Sequence, residues 1–136
     1  MIAIIEERLQ SVTKDSTNAG QHLLDLSSDE YLDLVLAEGN RFKEIADKLK
    51  TLNELTIKEF NVNREETYHV LPLMRELYDK CMSNIGLLKD RHIDKGIPVV
   101  IEYFKEEAEQ LKENIDDFEL IKGLSPMGEE WEAMLK

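Results

Sequence analysis

Cysteine occurs once, at position 81, so no disulfide can close within the chain and no secreted disulfide scaffold is expected. Proline occurs 3 times and glycine 6 times in 136 residues, which leaves few marked turns. Aromatic residues are scarce, at 7%, with 1 tryptophan. No apolar run approaches the roughly 20 residues that a membrane-crossing helix requires. The opening "MIAIIEERLQ" has a short apolar run with no basic segment before it and acidic residues straight after. It does not read as a secretion signal, and a cytoplasmic protein is expected. Positive charge is also short: 17 Lys and Arg against 29 Asp and Glu give a net charge of -12. Phosphate backbones and anionic membranes need basic patches, so neither nucleic acid nor a membrane is an expected partner. The acidic surface favours solubility and suits a basic partner.

What is present is helix-forming and patterned. Apolar residues make up 42% of the chain, enough for a real core, and charged residues 34%, as long exposed helices require. Ile2, Ile5, Leu9, Val12, Ser16, Ala19, Leu23 and Leu26 step by three and four residues, which keeps side chains on one helix face. Ser16, Ala19 and Gly20 make the middle of this seam thin. Either another helix approaches closely there or the helix breaks, and one helix over 2–26 is the reading taken. Ser27 and Glu30 have capping-box spacing. A second helix should follow, with its face on Tyr31, Leu34, Val35, Phe42, Ile45, Ala46, Leu49, Leu52 and Phe60, continuous to 60 or restarting near "TLNELT".

Asn63 and Glu66 repeat the capping-box spacing and open a third helix carrying Leu71, Met74, Tyr78, Cys81, Ile85, Leu88 and His92. Pro72 requires a kink or a new first turn within it. Gly96 suits the end of that helix and Pro98 the start of a fourth, which uses Val100, Phe104, Ala108, Leu111, Ile115 and Phe118. Gly123 can close the fourth helix. "LSPMGEEWEAMLK" reads as a capping Ser125 and a short terminal helix. The expected fold is all-α, a single domain over 1–136. It is an antiparallel up-down bundle of four main helices with a short C-terminal fifth helix.

Motifs for chemistry are sparse. His92, Lys95 and Gly96 have a spacing that resembles the phosphoacceptor site of histidine phosphotransfer domains. That resemblance implies a phosphorylated His92, a phosphate-stabilising Lys95 and room for a partner at Gly96. The same residues also make an ordinary helix end, and that reading is preferred. Arg64 and His69 have the Arg-x4-His spacing that resembles the helical ribonuclease family called HEPN. Membership there would imply a composite site across a dimer acting on RNA. Glu66 and His69 form the Glu-x-x-His pair of ferritin-like di-iron bundles, but a second copy of the motif is missing from the chain. Cys81 sits on a helix seam and reads as a small packed hydrophobe. The run "EEAEQLKENIDDFE" reads as a solvated helix face. Met127, Trp131, Met134 and Leu135 put apolar bulk on one side of the terminal helix, either to cover the bundle end or to contact a partner.

No catalytic, cofactor-binding or metal-binding constellation is assigned. The expected function is a non-enzymatic, acidic interaction or regulatory module that binds a protein partner or itself as a homo-oligomer. Phosphotransfer at His92 and a dimeric ribonuclease using Arg64 and His69 are the alternatives.

Overall fold

The computed structural model describes residues 2–25, 32–91 and 96–123. Five helices account for these: α1 (Ile2–Asp25), α2 (Leu32–Val62), α3 (Arg64–Tyr68), α4 (Leu71–Arg91) and α5 (Gly96–Lys122). There is no strand among the described residues, so the fold is all-α. The Ser27–Glu30 capping box, Leu26, Tyr31, His92, Lys95 and the terminal helix carrying Trp131, Met134 and Leu135 lie outside the described residues. So do the side chains of Leu34 and Val35.

Each long helix buries most of the stripe its sequence marks, but Tyr78 is only half-buried and Leu77 takes its place in the core, as Ile101 joins the stripe of α5. Ile5, Leu9, Val12, Ser16, Ala19 and Leu23 of α1 are buried, and α2 buries Phe42, Ile45, Ala46, Leu49, Leu52 and Phe60. The α4 stripe is Leu71, Met74, Leu77, Cys81, Ile85 and Leu88; that of α5 is Val100, Ile101, Phe104, Ala108, Leu111, Ile115 and Phe118. These stripes meet in one core, which removes apolar surface from water and supplies the main folding drive. α2 is continuous through "TLNELT" to Val62.

The four main helices alternate in direction along the chain. Asp15 faces Lys48 and His22 faces Glu38, so α1 and α2 are antiparallel. Arg75 meets Glu119, and one helix turn nearer the middle the Tyr78 phenol is raised first by burial and then by the nearby Asp116, so α4 and α5 are antiparallel as well. Around the square, α1 packs on α2 and α4, and α5 packs on the same two helices. Phe42 meets Phe104 and Phe60 meets Phe118, so α2 and α5 lie side by side in parallel. The bundle is therefore two antiparallel hairpins laid against each other, with α2 and α4 on a diagonal.

That diagonal explains α3. A square of helices about 10 Å apart has a diagonal of about 14 Å, and a five-residue helix covers about half of it. Of the two outcomes expected at Pro72, a new first turn is the one found: the stretch from Arg64 to Arg91 is not one helix but is divided into α3 and α4 by a turn at His69 and Val70. Pro72, second in α4, stands in a first turn where no N–H is needed. Asn63 makes no side-chain cap hydrogen bond, so its capping box with Glu66 does not form. Instead the Thr67 hydroxyl donates to the Asn63 carbonyl at 2.7 Å. Phe60 joins this corner together, stacked on Phe118 with centroids 3.9 Å apart and edge-on to Tyr68 at 5.7 Å.

At the thin middle of α1 another helix does approach. The Asn84 side-chain amide of α4 donates to the Ser16 carbonyl at 2.7 Å. A Cβ on Gly20 would run into the Asn84 side-chain oxygen. Gly96 is the first residue of α5 rather than a residue past the preceding helix, and Gly123, at φ 92°, closes α5 as its sequence position suggests.

Candidate functional site

His92 and Lys95 lie outside the described residues, and the other chemistry-bearing residues named from sequence, Arg64, His69 and Cys81, do not form one site. Arg64 opens α3, and His69 follows its end; both are exposed. The Arg64 guanidinium lies 5.5 Å from the centre of the Phe60 ring, so a cation–π contact occupies it. Cys81 is buried, and burial pushes its thiol up to about 12, which suppresses the nucleophilic thiolate. Among the described residues no group of three or more His, Cys, Asp or Glu side chains could hold a metal ion. No helix of the described residues is long and apolar enough to cross a membrane.

Two buried carboxylates were not legible in the sequence. Glu119 lies in the run read as a solvated face, yet it is 0% exposed and ion-paired with Arg75. This corrects that reading for Glu119, while Glu106, Glu109, Glu113 and Asp117 are exposed. Glu119 lies on the side of α5 that faces α4, where Arg75 meets it. Glu38 is buried between α1 and α2. Its Oε1 is 3.0 Å from His22 Nδ1 and 3.4 Å from Arg41 Nη1, while its Oε2 has no hydrogen-bond partner. His22 Nδ1 is also 2.7 Å from Arg41 Nη1. One ring nitrogen can donate to the carboxylate or accept from the guanidinium, not both, so the trio holds two exclusive hydrogen-bond arrangements. The spacing of Glu38 and Arg41, three residues apart on α2, was the available signal.

Open grooves run between neighbouring helices. The α1/α2 groove is lined by Arg8, Lys48 and Thr51 toward one end and by Asp15, Arg41 and Glu44 toward the other, so three cations face two carboxylates. The α1/α4 groove, lined by Thr13, Lys14, Thr17, Leu73 and Glu76 among others, sets one lysine against one glutamate. The α2/α5 groove, about 370 Å³, differs: Glu54, Glu106 and Glu107 face a single cation, Lys50. Its floor is tied by Asn53, whose side-chain amide donates to the Glu107 carbonyl at 3.2 Å. Burial drives the Glu107 carboxyl above its ordinary range. Lys50 opposes that shift, and Glu106, Glu54 and Asp47 add to it. At the upper edge, the Tyr103 hydroxyl donates to Asp47.

The asymmetry comes from α5, which carries eight carboxylates against three lysines. On α4, four basic side chains outnumber three acidic ones. No protein-family model matches the chain, and no curated protein or solved structure matches it.

Proposed function

We propose that this protein is a non-enzymatic, acidic interaction module that binds a protein partner or a second copy of itself. The observation that carries the reading is at the α3 end of the bundle. There Val62, Leu120 and Ile121 stand 84%, 65% and 50% exposed around helix ends whose neighbours Phe60 and Phe118 are buried. Apolar side chains gathered at one end of a charged bundle suit a contact surface. The chain leaves α5 at this same end, and Trp131, Met134 and Leu135 of the following segment are proposed partner contacts on their composition. The module is read as cytoplasmic, since its one cysteine is a free buried thiol, which a reducing compartment allows.

Native mass measurement of the full chain, with affinity capture from its host, tests this reading. The expected result is a homo-oligomer or a stoichiometric protein partner, lost when Val62, Leu120 and Ile121 are replaced by serine. A strict monomer that captures no protein would overturn it. A second reading, a ribonuclease with Arg64 and His69, is favoured only by the exposure of both residues on one short segment. It predicts RNA cleavage by the purified dimer and loss of that cleavage in His69→Ala.

A further inference from the structure

We propose that the α2/α5 groove docks a cationic amphipathic helix of a protein partner. This rests on the interaction reading above and adds a second contact place, beside the α3 end, with the partner's chemistry.

Because α2 and α5 run parallel, Glu54 of α2 and Glu106 and Glu107 of α5 line one channel, and helical spacing extends each side into a row. Asp47 and Glu54 are seven residues apart on α2, and Glu106 and Glu113 are seven apart on α5. Two helical turns separate the members of each row, about 10.5 Å along the axis. A docked helix presenting Lys or Arg at i, i+4 and i+7 matches that repeat. The groove also has apolar contact to offer. Ile57 lines it and is 37% exposed. Ile121, eleven residues beyond Gln110 and so on the same face of α5, is 50% exposed. Charge complementarity selects the occupant. Of the helix–helix grooves described above, this is the one whose lining is net negative, while the α1/α2 groove is net positive and the α1/α4 groove is balanced. The half-buried Glu107 stands among like charges with Lys50 alone opposing them, and an incoming ammonium or guanidinium would relieve that crowding. An acidic or nucleic-acid ligand would be repelled by the same carboxylates.

The probe is a labelled helical peptide of about 18 residues, close to five turns, with lysines along one stripe and leucines beside it. Binding to the full chain is followed by fluorescence anisotropy at salt of about 0.05 M and about 0.3 M, which separates screened from short-range contacts. Two double variants with the same change in net charge are compared: Glu54→Lys with Glu106→Lys in the groove, and Glu6→Lys with Glu7→Lys on α1. Ile57→Ser removes the apolar contact. Circular dichroism confirms that all three variants stay helical. The expected result is saturable binding at both salts. The groove reversal should weaken it by roughly tenfold or more, and the α1 reversal by less than about threefold. Ile57→Ser should weaken it measurably at the higher salt. Equal losses in the two reversals, equal binding of a scrambled peptide of the same charge, or no binding at all would overturn the assignment. Failure here is separable from failure of the interaction reading. An oligomer or captured partner that ignores the groove reversal removes the groove alone, whereas a solitary monomer removes both.

Discussion

Gly20 and Gly86 are the same residue in opposite situations. Gly86 lies exposed in α4, and a Cβ there would meet nothing within 4 Å. Gly86→Ala is expected to stabilise the fold by about 0.5–1 kcal/mol, because alanine loses less backbone freedom on forming helix. Gly20 is buried where α1 touches α4, and a methyl group there displaces the Asn84 amide from the Ser16 carbonyl. Gly20→Ala is expected to destabilise by about 1–3 kcal/mol despite its better helix propensity. Urea midpoints of the two variants, moving in opposite directions, check both. Glu107 gives a pH-dependent case. Its carboxyl is raised in the folded state, mainly by burial, so the fold binds that proton more tightly than the unfolded chain does. Its ionisation therefore weakens the fold, progressively as pH rises through and beyond the ordinary carboxylate range. Glu107→Gln should be more stable than the native chain at neutral pH, and the difference should shrink towards about pH 4, where both side chains are uncharged. A gap that is independent of pH would exclude this account.

At the scale of elements, the contacts between α4 and α5 rest on more than apolar packing. Glu119 has no exposure and relies on Arg75, whose side chain is 39% exposed. Arg75→Ala leaves a buried carboxylate without its cation, and an expected loss on the order of 3 kcal/mol follows. Adding Glu119→Gln should recover part of that loss, which a double-mutant cycle by chemical denaturation would show. The short α3 belongs to this scale too. Its five residues exist because α2 and α4 are diagonal neighbours and the chain must cross the end of the bundle between them. Capping spacing at Asn63 and Glu66 marked a helix start correctly but not its brevity. Pro72 marked the restart, since a proline fits α4 only near its beginning.

For the whole molecule, charge is unevenly spread. α5 is strongly acidic, α4 slightly basic, and the net charge is -12. Self-repulsion on this scale weakens the compact state, and salt screens it over about 10 Å at 0.1 M. Thermal midpoints should rise as ionic strength increases from about 0.01 M to about 0.15 M, most steeply at the low end. The α5-weighted excess predicts that neutralising Glu106 and Glu113 flattens this dependence more than neutralising Glu6 and Glu7 does.

The sequence by itself determined the four long helices, most of the apolar residues each buries and the all-α class. Steps of three and four between apolar side chains can be satisfied only at helical pitch with one face in a dry interior. Sequence also located the close approach at Ser16 and Gly20 without naming what approaches. Tertiary structure alone decided that α2 and α5 are parallel neighbours, that Asn84 fills the gap on α1, and that Glu38 and Glu119 are interior. A glutamate on a helix has the same local spacing whether water or an arginine of another helix meets it. That difference resides in the partner helix, and so the two acidic rows became one groove only when the hairpins were laid side by side.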